Sequence, residues 1–188
     1  MTECSLIEEN GRAHFLTKRF DRENGRKIHM QTLCGMAHYD FRLKNGHSYE
    51  QAFNVMRRLR LPYSQAQEMF RRIVFNVVVR NQDDHTKNIS FLMDSSGQWS
   101  LSPAYDMGFA YNPLGAWTAT HQMSINGKFD NITRADLLSL ANANNIKNAS
   151  EIIDQVCETT AGWPEVAKNC GVPQKMIDGI VPHMLLSI

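Results

Sequence analysis

The chain has 188 residues, is 43% hydrophobic and 21% charged, and carries a formal net charge of +1. Such a length fits one domain, or one lobe with an appendage, with enough apolar residues for a real core. The near-neutral balance lacks the marked basic surplus of a typical nucleic-acid binder. The apolar run at 74–79, broken by Asn76, is far too short to cross a bilayer, and no secretory signal opens the chain. Cys4, Cys34, Cys157 and Cys170 form no C-x-x-C pair and no zinc-finger spacing with histidine. Reduced thiols in a cytoplasmic protein fit this pattern best.

In chain order, residues 13–20 read as a strand that runs into a loop at 21–25. A short element at 26–30 leads into a helix over 31–37. Residues 39–48 are polar and contain Gly46, which predicts a loop. A helix is expected over 49–61, stopped by Pro62. Residues 64–80 give the strongest helical pattern, with Ser64 as cap and Gln67 at the capping-box position. In it Ala66, Met69, Phe70, Ile73, Val74, Val77 and Val78 form one apolar stripe at helical spacing. The stripe ends directly at a polar loop, so a rigid core helix would feed that loop. Residues 89–93 and 98–101 flank Asp94-Ser95-Ser96-Gly97, which reads as a hairpin. Helices follow at 137–143, after a capping-box-like Thr133-Arg134-Ala135-Asp136, and at 151–159, 163–169 and 174–187, the last bent at Pro182. The region 112–128 has no assignable pattern. The fold class expected is mainly α with a small β hairpin, an α+β lobe.

The polar loop Asn81-Gln82-Asp83-Asp84-His85-Thr86-Lys87-Asn88 and the segment Leu101-Ser102-Pro103-Ala104-Tyr105-Asp106 carry the chemistry. An Asp, an Asn five residues later, a hairpin and a second Asp are the parts a protein kinase needs. The first Asp orients and deprotonates a hydroxyl, while the Asn and second Asp hold magnesium against nucleotide phosphates. A hard divalent cation requires such oxygen ligands. Alone, Asp83-Asp84-His85 also fits a polar turn, because these side chains bond nearby backbone. His85 could satisfy the loop backbone, contact a phosphate or bind metal, and the structural role is favoured. Lys87 could neutralise phosphate or sit in solvent. Tyr105 reads as packing beside the Asp. Arg57, Arg58, Arg60, Arg71, Arg72 and Arg80 read as solvated helix faces, with a DNA or acidic-protein patch as the sharper option.

These motifs resemble the HipA family of bacterial toxin kinases. Residues 81–88 match its catalytic loop and 101–106 its metal-binding segment. Lys18-Arg19-Phe20-Asp21-Arg22 resembles the stretch after the hinge strand, where the base is held, and Met123-Ser124-Ile125-Asn126-Gly127-Lys128 before a capped helix is also family-like. The resemblance implies one kinase-like C-lobe over 1–188, with the hinge near 13–22, the catalytic loop and hairpin over 81–106, and C-terminal helices over 133–188. It implies Asp83 as catalytic base, Asn88 and Asp106 as Mg2+ ligands, and His85, Lys87, Phe20 and Tyr105 around ATP. It implies phosphorylation of serine or threonine on a protein, aminoacyl-tRNA synthetases being known targets of the family. The partner implied is a DNA-binding antitoxin of the HipB type, with DNA reached only through that complex.

A complete kinase also needs a phosphate-covering loop and a lysine on an N-lobe strand, and neither is found. Residues 1–14 are too few for an N-lobe sheet, so the expectation is a C-lobe with hinge, N-lobe missing, from an expressed fragment or a truncated gene. Lys18 stands where the family often has an acid. Two other functions remain open: a metal-dependent phosphoesterase with Asp83, Asp84 and His85 as direct ligands, and a non-enzymatic module that binds antitoxin or DNA.

Overall fold

The computed structural model describes residues 1–188, and its first seventeen form a hairpin. Strand β1 (Cys4–Glu9) pairs antiparallel with β2 (Arg12–Thr17), in register from Cys4↔Thr17 to Glu9↔Arg12. The two-residue turn is Asn10-Gly11, both at positive φ (51° and 73°). Such a turn matches the right-handed twist of the strands, and Asn and Gly tolerate it best. The strand expected at 13–20 therefore has a partner in the stretch thought too short to build one, and it stops at Thr17. Leu6, Ile7, Phe15 and Leu16 are exposed along this hairpin. A second hairpin joins β3 (Arg22–Glu23) to β4 (Arg26–Lys27) through Asn24-Gly25, where a plain loop was expected.

The hairpin expected around Gly97 is present as β7 (Ser90–Met93) and β8 (Trp99–Leu101). A third strand, β5 (His29–Thr32), pairs with β7 from His29↔Met93 to Thr32↔Ser90. Gln31 and Thr32, assigned to a helix from sequence, thus belong to the sheet. Thr32 then caps the short helix α1 (Leu33–Ala37) by accepting from the Gly35 amide. A two-residue parallel pairing, β6 (His47–Ser48) with β9 (Met123–Ser124), brings the unassigned 112–128 region against the next helix.

Helix α2 (Tyr49–Arg58) starts with a full Ser48/Gln51 capping box. Helix α3 (Tyr63–Val78) buries Met69, Phe70, Ile73, Val74, Val77 and Val78, as its periodicity predicts. Its start differs from expectation. Pro62 is the N-cap, no side chain caps it, and Ser64 sits inside the first turn. The Pro62 carbonyl accepts from the Gln65 and Ala66 amides, so the backbone itself closes that turn. Helices α4 (Arg134–Ala143), α5 (Ala149–Ala161), α6 (Trp163–Asn169) and α7 (Gln174–Ile180) follow. The bend at Pro182 is a 3-10 turn, Val181–His183. One core of 26 buried residues is drawn from α1 to α5, the β7–β8 hairpin and the segments around β9.

Helix α4 begins with a capping box in which Asp136 carries more than a cap. Its carboxylate accepts from Lys128 Nζ (2.8 Å), Thr133 Oγ1 (2.7 Å), the Thr133 amide (2.9 Å) and Asn126 Nδ2 (3.0 Å). Burial pushes this carboxyl up, but the Lys128, Thr133 and Asn126 hydrogen bonds outweigh it and hold it well below the usual range. A depressed folded-state pKa adds stability above the unfolded value, near 4, that is lost as pH falls through the folded one. Asp136→Asn is expected to cost about 2 kcal/mol at neutral pH. The gap to the parent chain should narrow as pH drops below about 4, as read from urea titrations across pH. A constant gap down to strong acid would contradict this assignment.

Candidate active site

Helix α3 delivers the polar loop through its own C-terminal turn. Arg80 adopts a left-handed conformation (φ 53°), the Asn81 amide donates to the Asn76 carbonyl at 2.8 Å, and the Arg80 amide donates to Val77. This is a Schellman arrangement with arginine where glycine is usual. It turns the chain sharply, so that Asn81, Gln82 and Asp84 are buried while Asp83 projects outward.

The loop is pinned on several sides. The Leu33 amide donates to the Ile89 carbonyl, Cys34 to Thr86, and Thr86 Oγ1 to the Tyr39 carbonyl (2.8 Å). Asn88 Nδ2 donates to the main-chain carbonyl of Asp83 at 2.8 Å, which leaves Asn88 Oδ1 without a protein partner. The segment after β8 is stitched alongside. Ser90 and Ser102 bond through their hydroxyls (2.8 Å), and Tyr105 Oη donates to the Lys87 carbonyl. Asn81 forms a parallel bridge with Ala110, and Asn81 Nδ2 reaches the Asp106 carbonyl at 3.3 Å. Asp106 is exposed, sits at φ 55°, and its carboxylate takes no protein hydrogen bond.

Asp83 and Asp84 are neighbours with opposite environments. The Asp83 side chain is 49% exposed, with His85 Nε2 4.0 Å from its carboxylate. The Asp84 side chain is 1% exposed. It accepts from Tyr49 Oη (2.7 Å), His121 Nδ1 (2.9 Å) and the Gln122 amide (2.7 Å). Tyr49 is held neutral, its pKa pushed well above the usual value by burial first and by Asp84 second. Asp84 therefore has its lone pairs occupied by the fold. No three His, Cys, Asp or Glu side chains are grouped to hold a metal, so the Asp83, Asp84 and His85 ligand set of the phosphoesterase reading is not assembled.

His85 packs edge-on against Phe41 (5.5 Å between ring centroids), and its buried Nδ1 has no hydrogen-bond partner. Lys87 Nζ lies 3.7 Å from the centroid of the Phe41 ring, a cation–π contact. Phe20 and Tyr105 pack against each other, 5.6 Å between ring centroids, in the lining of a cleft of about 510 Å³ whose walls also include Phe15, Lys18, Met30 and Asp106. Asp83, His85, Lys87 and Asn88 are not among the residues that line this cleft; they lie on the adjoining loop. Asp21 at its rim is bridged by Arg19 at 2.6 Å and Arg22 at 2.5 Å. The Arg19 hydrogen bond is the main reason its carboxyl is lowered to about 2.

Four of the six arginines thought able to form a patch have separate partners. Arg57 bonds Asn144 and Asn54, Arg71 bonds Gln155, Arg72 bonds Glu68 and the Ser102 carbonyl, and Arg80 bonds the His183 carbonyl. Sequence reasoning missed Tyr49, His121 and Gln122, which organise the loop from positions remote in the chain, and Asn76, one helical turn before it.

Comparison with known proteins agrees with this architecture. A Sinorhizobium fredii protein named "Putative kinase Y4dM" is 30% identical over 175 residues, 88% of this chain and 42% of that protein. A Haemophilus influenzae protein named "Putative kinase" is 32% identical over 103 residues, 49% of this chain and 29% of the relative. The chain thus spans less than half the length of these relatives. Among solved structures it superposes on a chain of the Shewanella oneidensis MR-1 toxin–antitoxin complex of HipA, HipB and operator DNA. The TM-score is 0.66 and the identity 20%, with 89% of this chain and 44% of that one covered. At that identity the likeness is one of fold, a kinase-like α+β C-terminal lobe. The sequence profile described as the HipA-like C-terminal domain matches residues 1–163, and the chain belongs to that family.

Proposed function

We propose that this chain is the nucleotide- and magnesium-binding lobe of an ATP-dependent protein kinase of the HipA type. The observation that carries the reading is the Asn88 amide clamped to the Asp83 carbonyl. That bond leaves Asn88 Oδ1 and the Asp83 carboxylate free on one loop, beside a segment that presents the unpaired Asp106 carboxylate. The free donors are an amide oxygen and a carboxylate, the hard set that magnesium prefers. Asn88 and Asp106 would hold the ion, which would draw the β- and γ-phosphates of ATP into place. Asp83 would accept the proton of a serine or threonine hydroxyl on a protein substrate. Phe20 and Tyr105, packed on each other, would offer the base an aromatic wall of the cleft, and His85 and Lys87 would face the phosphates. Lys87, exposed and held over the Phe41 ring, is placed where a phosphate could pair with it. A HipB-type antitoxin is the proposed partner, since the Shewanella HipA is seen with one. An aminoacyl-tRNA synthetase is a candidate substrate, through the family resemblance alone.

The test is calorimetric titration of ATP with and without magnesium. Magnesium should raise the affinity of the parent chain, and Asp106→Ala should remove most of that gain. Equal affinity with and without magnesium in the parent chain would sink the reading. The chain by itself is expected to transfer phosphate poorly, because positioning and electrostatics supply most of the catalysis and no covering loop or N-lobe lysine is identifiable in it. Rapid transfer by the purified chain, abolished by Asp83→Ala, would overturn that expectation.

A further inference from the structure

Asp84 is a buried acid that the proposed chemistry does not use, and it anchors a chain of hydrogen bonds that ends at Asp106. Tyr49 Oη donates to Asp84 Oδ2 at 2.7 Å and accepts from Asn76 Nδ2 at 3.0 Å. Asn76 Oδ1 accepts from Asn81 Nδ2 at 3.0 Å, and the same Asn81 amide reaches the Asp106 carbonyl at 3.3 Å. Tyr49, Asn76, Asn81 and Asp84 are all at least nine-tenths buried. A carboxylate only accepts and a tyrosine hydroxyl has one proton to give, so the direction of every bond follows from the charge on Asp84. Bonds that point the same way polarise one another in a low-dielectric interior.

The four residues and Asp106 come from α2, α3, the polar loop and the segment after β8. Main-chain bonds from Gln82 to Ala110 and from Ala110 to Arg80, and the Arg72 bond to the Ser102 carbonyl, also tie these segments, but none of them reaches Asp106. Burying these groups is costly unless every one is paired, and an apolar contact would pack α2 on α3 as well. What the relay supplies beyond packing and those bonds is a hold on the bend itself, through Asn81 Nδ2 on the Asp106 carbonyl. That bend is a left-handed aspartate, a conformation that persists only where its surroundings over-determine it.

We infer that Tyr49 is a positioning residue for the magnesium–nucleotide site, acting through Asn76 and Asn81 on the main chain of Asp106. The inference rests on the kinase reading above. Tyr49→Phe keeps the ring in the core and removes only the hydroxyl. Asp84 keeps two donors, but Asn76 loses its acceptor and is free to turn from Asn81, which loosens Asp106.

The experiment titrates the folded chain with ATP, with magnesium and with chelator, for the parent, Tyr49→Phe, Asp106→Asn and the double variant. Tyr49→Phe is expected to reduce the magnesium-dependent gain in affinity about tenfold, within the usual range of coupling between sites. It should leave magnesium-free affinity unchanged. A purely structural tyrosine would lower both together. In the Asp106→Asn background the Tyr49→Phe effect should vanish, since coupled positions are not additive. Asn81→Ser, too short to bridge Asn76 and Asp106, should reproduce the Tyr49→Phe result if that variant does not fold. An unchanged gain in Tyr49→Phe, equal losses with and without magnesium, or additivity with Asp106→Asn would overturn the inference and leave the kinase reading intact. A parent chain with no magnesium-dependent gain, or one that Asp106→Asn does not reduce, would remove both.

Discussion

Asp84→Ala is expected to be among the most destabilising single substitutions in the chain, at about 3–5 kcal/mol, whereas its neighbour Asp83→Ala should stay within about 0.5 kcal/mol of the parent. The substitution at 84 strands three buried donors together: the Tyr49 hydroxyl, the His121 ring and the Gln122 amide. Each loses a partner that water cannot replace. At 83 the side chain is half in solvent and accepts no hydrogen bond. Urea denaturation or thermal melts of the two alanine variants side by side would show the difference, on the order of 10 °C in Tm for a chain of this size. Equal melting temperatures would mean that the buried cluster around Asp84 contributes little.

The second large effect is on activity. In a protein that carries this lobe together with a competent N-lobe, Asp83→Ala should lower phosphoryl transfer by roughly 10²–10⁴-fold, the range for loss of a general base. Magnesium–ATP affinity should change little, because Asp83 is assigned to the hydroxyl and not to the nucleotide. Asp106→Ala should lose transfer and magnesium-dependent affinity together. Single-turnover phosphate transfer and calorimetry on both variants, each checked by a thermal melt, separate the roles. If Asp83→Ala retains full transfer, or both variants lose nucleotide equally, the division of labour is wrong.

Helix α3 was legible because its apolar residues recur at helical spacing, and from Met69 to Val78 the stripe is buried, with Asn76 buried beside it and Ala66 only partly so. The hairpin β7–β8 was legible from Gly97. The capping box at Thr133 was legible from its spacing, although the further donors Lys128 and Asn126 were not. The N-terminal hairpin was overlooked although its signal is present. Asn10-Gly11 between two strand-compatible runs is a strong local turn, and Asn24-Gly25 repeats it. Exposed strands with Glu8, Glu9 and Arg12 lack the apolar alternation that marks a half-buried sheet, so periodicity alone passes over them. Ser64 was mistaken for a cap because serine is a good one, whereas Pro62, with its fixed φ, starts the helix two residues earlier.

The polar loop itself could be picked out from residue types and spacing. What no local pattern could reveal is which of its two adjacent carboxylates faces inward. That is decided by Tyr49, His121 and Gln122, 35 to 38 positions away along the chain, and by a two-residue parallel pairing between β6 and β9. Contacts of that range leave no periodic trace in the sequence.

The left-handed bend at Asp106 has an evolutionary consequence. A carboxylate is not what the backbone wants there; asparagine is at least as comfortable at φ 55°, and glycine is free of the side-chain clash altogether. Folding would therefore not defend an aspartate at this position if the site fell out of use. In a lineage whose copy had become a silent passenger, drift to asparagine or glycine at 106 would meet little resistance. Asp84, locked into the interior, would persist long after. Across descendants of this gene, the pair would act as a dated record on the proposed reading of Asp106: acid at both positions would mark a working copy, and acid at 84 alone a retired one that still folds.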